Sequence, residues 1–127
     1  MAITHVVTGT GSSLADSLGT GHVVSGLVTA SAGTDAVLTS NDASAVLTQT
    51  ATGNYLITFG EPFLAAPAVT VEVIKPTFST TIGYSAQLLS VATNSVAVNL
   101  YTTTGTTVAC ALADMDFTFI AVGKRYN

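Results

Sequence analysis

The residues that could carry chemistry are few and scattered. Two histidines, His5 and His22, could serve a serine nucleophile as general base. Such a base must be held rigidly against its nucleophile. Both fall in a Gly-punctuated N-terminal stretch, away from the regular segments. The single cysteine lies in the apolar run Val108-Ala109-Cys110-Ala111-Leu112. A reactive thiol needs a cation or histidine beside it to lower its pKa. None is close in sequence, so Cys110 reads as a buried structural thiol. Gly9-Thr10-Gly11 and Gly19-Thr20-Gly21 do not extend to a dinucleotide-binding glycine loop, and no P-loop or nucleophile elbow occurs. The expectation is no enzyme, no catalytic residue and no cofactor.

The carboxylates say more. Asp114 and Asp116 are two residues apart, so on a strand they face the same side and could offer oxygens to Ca²⁺. The simpler reading is a solvated pair guarding the start of the last strand, with the metal site as the lesser one. Asp42, in Ser40-Asn41-Asp42, reads as turn chemistry. Glu72 sits between Val71 and Val73 and should face out or pair with Lys75. Tyr84 and Tyr101 could stack on a sugar, but isolated strand tyrosines more often pack half-buried.

Composition sets the frame for these side chains. Only 8% of residues are charged, against about 25% in ordinary soluble domains. Hydrophobic residues make up 48%, and 22 Thr and 11 Ser supply most of the polarity. A net charge of −4 gives little repulsion between copies. Much of the surface should therefore be covered in an oligomer or a larger assembly. Lys75, Lys124 and Arg125 are the whole basic complement, too few and too scattered to neutralise phosphates, so nucleic acid is not an expected partner. The Lys124-Arg125 pair reads as a solvated end. Apolar runs fall far short of the ~20 residues a membrane helix needs. Met1–His5 shows no cationic region leading into an apolar stretch, so no signal peptide is expected.

The elements that must position these residues are strands. Residues 1–22 read as an extended N-terminal arm or an edge strand, with Ile3–Val7 as its one strand candidate. Residues 23–127 form the domain, and from Val23 onward the hydrophobic period is two. Val24, Gly26 and Val28 alternate with Ser25, Leu27 and Thr29. Further strands are predicted at Ala36–Thr39, Ala45–Thr50, Tyr55–Phe59, Ala68–Ile74, Tyr84–Val91, Val96–Tyr101 and Met115–Val122. Turn residues separate them at Ser31–Asp35, Ala51–Asn54, Ala92–Ser95 and Thr103–Thr106. Tyr55, Ile57 and Phe59 should form one core rib, Val69, Val71 and Val73 a second, and Phe117 and Phe119 a third. About eight short strands at this spacing predict an all-β fold, an antiparallel β-sandwich or jelly roll.

Two stretches carry a family resemblance. Gly53-Asn54-Tyr55-Leu56-Ile57-Thr58-Phe59-Gly60-Glu61-Pro62-Phe63, followed by Ala66-Pro67-Ala68-Val69, is the first. The ending Asp116-Phe117-Thr118-Phe119-Ile120-Ala121-Val122-Gly123 is the second. Together they resemble a β-sandwich module of tailed-phage virion proteins and of the terminal domains of fibre-like proteins. The resemblance spans about residues 23–123 and rests on core and turn positions. It implies a trimer-forming virion module, made in a host cytoplasm, whose arm attaches it to another virion protein; no ligand residues carry over. No shaft, collagen-like or coiled-coil segment precedes the module in this sequence, which suits a capsid decoration (cement) protein contacting the major capsid protein. The alternative is a receptor-binding or lectin-like head at a tail or fibre tip, contacting its target through Tyr84, Tyr101 and the loop Phe78–Thr81.

Overall fold

Alternating apolar and hydroxyl-bearing residues can bury half of each segment only if successive side chains point to opposite faces. The computed structural model describes residues 21–30, 36–74, 81–104 and 110–125. Among them are nine strands and no helix. They are β1 (His22–Thr29), β2 (Val37–Ser40), β3 (Val46–Ala51), β4 (Asn54–Thr58), β5 (Ala68–Ile74), β6 (Ile82–Val91), β7 (Ser95–Thr104), β8 (Cys110–Leu112) and β9 (Asp116–Gly123). The strands form two antiparallel sheets, one ordered β2-β1-β9-β5 and the other β3-β4-β7-β6, with β8 also paired to β7. The fold is a β-sandwich.

Burial follows the alternation. Val24, Val28, Phe117, Phe119 and Ala121 of the first sheet and Tyr55, Ile57, Val96, Val98 and Leu100 of the second make up most of the core. The Tyr55 and Phe117 rings lie 5.4 Å apart, tilted by 56°. Phe59 and Phe63 close one end, edge to face at 5.2 Å. Gly26 lies under Phe119, where an added Cβ would come within 2.7 Å of a ring carbon. Val69, Val71 and Val73 are only half-buried, because β5 is an edge strand with β9 as its one neighbour.

Several expectations change. β8 lies where a buried thiol run was expected, and Cys110, Ala111 and Leu112 are all exposed. The reason is position: β8 pairs with Tyr101–Thr103 near the far end of β7, where β7 itself loses burial. Thr103 and Thr104 extend β7 instead of turning, since Ile82 and Gly83 pair with them. His22, grouped with the arm on sequence, opens β1 opposite Gly123. Arg125 is no solvated end, for its side chain is only 9% exposed. The rest of the expected arm with His5 and Ile3–Val7, the turn at 31–35, Lys75, residues 78–80 of the proposed contact loop and Gly105-Thr106 lie outside the described residues.

Candidate functional site

Three places gather polar side chains. The first is a junction in the five-stranded sheet. Along one side of β7, β4 pairs with Ser95–Asn99 and β8 with Tyr101–Thr103, which leaves a gap at Leu100. The Leu100 amide donates to the Gly53 carbonyl at 2.8 Å, and the Leu100 carbonyl accepts from the Ala113 amide at 3.0 Å. Asp114 seals this gap. Its Oδ1 accepts from the Gln49 side-chain amide at 2.8 Å, the Gly53 amide at 2.8 Å and the Tyr55 hydroxyl at 2.7 Å. Asp116 opens β9 in the four-stranded sheet, where its Oδ1 accepts from the amide of Ala30, just past β1, at 2.8 Å. The two carboxylates therefore serve separate joints. No cluster of three or more His, Cys, Asp or Glu exists among the described residues.

Burial opposes ionisation of Asp114, but the Gly53 amide, the Tyr55 hydroxyl and the Gln49 amide outweigh it and hold its carboxyl below the usual range. Burial first, then the hydrogen bond to Asp114 and the nearby negative charges, push the Tyr55 phenol well above its usual value. The signs give a pH profile. The Asp114 contribution is complete above the unfolded aspartate value of about 4 and is lost as pH falls through the lower folded value. The Tyr55 contribution is complete below about pH 10 and is lost above it. In Asp114→Asn, the drop in thermal midpoint between pH 7 and pH 3 should shrink relative to the wild type. An undiminished drop would assign acid sensitivity to other groups.

The second place is a clasp at the Phe59–Phe63 end. Arg125 donates to the Glu61 carbonyl at 3.1 Å and lies 3.7 Å from Asp42 Oδ2. Its guanidinium carbon sits 5.2 Å from the centre of the Phe63 ring. Asp42 accepts from the Ser44 amide at 3.1 Å, the expected turn, and from the Gly60 amide at 2.8 Å. The clasp joins the β2–β3 and β4–β5 connections to the chain after β9, which is a structural job.

The third is a concavity of about 310 Å³ on the outer face of the five-stranded sheet, lined by Gln87, Asn99, Tyr101, Cys110 and Leu112. Register builds it. Gln87, Asn99 and Asn54 stand side by side across β6, β7 and β4. In the next outward row stand Ser85, Tyr101 and Leu112, and beyond it Gly83, Thr103 and Cys110. No family model, curated relative or solved structure matches this chain. The concavity is thus read from its own chemistry.

Sequence reasoning grouped Tyr84 with Tyr101, and the structure separates them. Tyr84 packs toward the core, whereas Tyr101, opposite Ser85, faces out. His22 lies in the first sheet, its ring 6.2 Å from that of Phe63, and Cys110 lies in the second. Glu72 is exposed on β5. The Asp114 junction, the Arg125 clasp and the carboxamide row were missed. Their faint signals were scarcity of charge, and amides at Gln87 and Asn99 within otherwise apolar alternation.

Proposed function

We propose that this protein is a non-enzymatic virion structural subunit, a homotrimeric decoration protein that binds the assembled phage capsid and stabilises it. The outer face of the four-stranded sheet carries the reading. An antiparallel sheet with one face in water ordinarily alternates polar residues outward. Here Val23, Leu27, Ile120 and Val122 are 37–47% exposed on its two central strands. Val23 stands opposite Val122, which stands opposite Ala68, an apolar row across three strands. Val37 and Ile74 are also exposed on the two edge strands, Val37 opposite Thr29 and Ile74 opposite Asp116, and Glu72 is the one exposed carboxylate on this face among the described residues. Contiguous apolar surface of this kind marks protein contact. A subunit that binds only the assembled shell stabilises it by mass action. In this reading the domain has the jelly-roll form of the module it resembles, and residues 1–22 form the attaching arm.

Sedimentation equilibrium and co-sedimentation with capsids from the native particle test the proposal. The wild type should run as a trimer at micromolar concentration and pellet with capsids. Leu27→Asp with Ile120→Asp should give monomers and weaken capsid binding at least tenfold. A monomeric wild type, or a double variant that still assembles and pellets, would overturn it. Cryo-electron microscopy that places the chain at a tail tip would favour the second reading, a receptor-binding head. The Tyr101 concavity is what favours that reading.

A further inference from the structure

We infer that the concavity around Tyr101 is a binding site for a neutral saccharide. This deepens the receptor-facing reading and uses the sheet opposite the one proposed for assembly. Charge decides the ligand class first. The strands β3, β4, β6, β7 and β8 contain no Asp, Glu, Lys or Arg. A charged ligand would lose hydration here and gain no partner charge from these strands. A neutral polyol pays no such penalty.

The lining supplies what a sugar ring needs. One face of a pyranose is a patch of C–H groups, and Tyr101 offers an outward aromatic ring beside Leu112 to cover it. The sugar hydroxyls need donors and acceptors together. A carboxamide provides both on one planar group, and Gln87, Asn99 and Asn54 stand in a row one step along the strands from Tyr101. Two of these are incomplete. Asn54 Oδ1 and Asn99 Oδ1 are buried acceptors without a hydrogen-bond partner. Such atoms are rare in folded proteins and weaken them, so the row is not packed to satisfy itself. The volume, about 310 Å³, falls at the small end of ligand pockets, which span ~300–1,000 Å³. That size suits one or two sugar residues.

Cys110 supplies a built-in reporter, being an exposed free thiol on the wall of the concavity. The test uses the full chain and an array of immobilised neutral oligosaccharides, terminated by hexose or N-acetylhexosamine, with sialylated counterparts. The expected result is saturable binding to a neutral terminus that sialylation does not strengthen. Tyr101→Ala and Gln87→Ala should each weaken it at least tenfold while circular dichroism stays unchanged. The free sugar of the bound type should slow maleimide labelling of Cys110 several-fold in the wild type, and not in Tyr101→Ala. No retention on the array, retention unchanged in both variants, or labelling slowed by raised protein concentration alone would overturn the inference, the last by showing a second copy in the site. Capsid co-sedimentation of the same variants keeps this outcome separate from the assembly proposal, since Tyr101→Ala should pellet normally.

Discussion

Gly53→Ala should cost the fold about 3 kcal/mol and lower its thermal midpoint by about 12 °C. Two independent effects add. Gly53 has φ of +72°, a conformation that costs an L-residue roughly 1–2 kcal/mol. Its space is also taken: a Cβ would stand 2.7 Å from the Leu100 carbonyl oxygen and 2.9 Å from the Ala113 nitrogen. Both are backbone atoms of the junction where β4 gives way to β8, so neither can swing aside. Overpacking of this kind costs roughly 1–3 kcal/mol. The same residue donates its amide to Asp114 and accepts from Leu100, so displacing it loosens the seal as well. Gly83→Ala is the control. Its closest obstacle is the Thr103 hydroxyl at 2.6 Å, the free end of a side chain that can rotate. Thermal denaturation should show a large drop for the first variant and a small one for the second. Equal drops would mean that general loss of glycine flexibility, not the junction, sets the cost.

Gly53 also shows what sequence could and could not reveal. As part of Ala51-Thr52-Gly53-Asn54 it was legible as a turn, and so was the strand that follows. Alternation alone located β5 at Ala68–Ile74 and set Phe117 and Phe119 against Ile120 and Val122, because the period of two is a local property. That this turn abuts Ala113 was not legible. The contact depends on how far β4 and β8 slide along β7, and register between distant segments leaves no trace in either one. Asp114 reaches Gln49, Gly53 and Tyr55 across about sixty residues of chain. Arg125 reaches Asp42 and Glu61 in the same way. Their side chains are ordinary surface types made structural only by the fold. Cys110 misled for the converse reason. An apolar run predicts burial only where its side chains face the second sheet, and Cys110 stands in the outward row with Gly83 and Thr103.

Phe117→Ala should destabilise the protein by about 4 kcal/mol, the range seen for large aromatic truncations in packed cores. The ring is fully buried on β9, between β1 and β5 in its own sheet, and meets Tyr55 from the opposite one. Its loss opens a cavity that strands held by hydrogen bonds on both sides cannot close. The neighbouring Thr118 is exposed, and Thr118→Ala should change stability by no more than about 0.5 kcal/mol. A second consequence separates packing from the polar junction. Tyr55 is held by Phe117 at its ring and by Asp114 at its hydroxyl. Once the ring support is gone, the hydroxyl is no longer fixed on the carboxylate, and removing it should matter less. In a double-mutant cycle by urea denaturation, Tyr55→Phe should therefore cost at least about 0.5 kcal/mol less in the Phe117→Ala background than in the wild type. Strict additivity would show that the junction is held in place without the core beneath it, and would assign the stability of the sandwich's mid-section to the strand ladder alone.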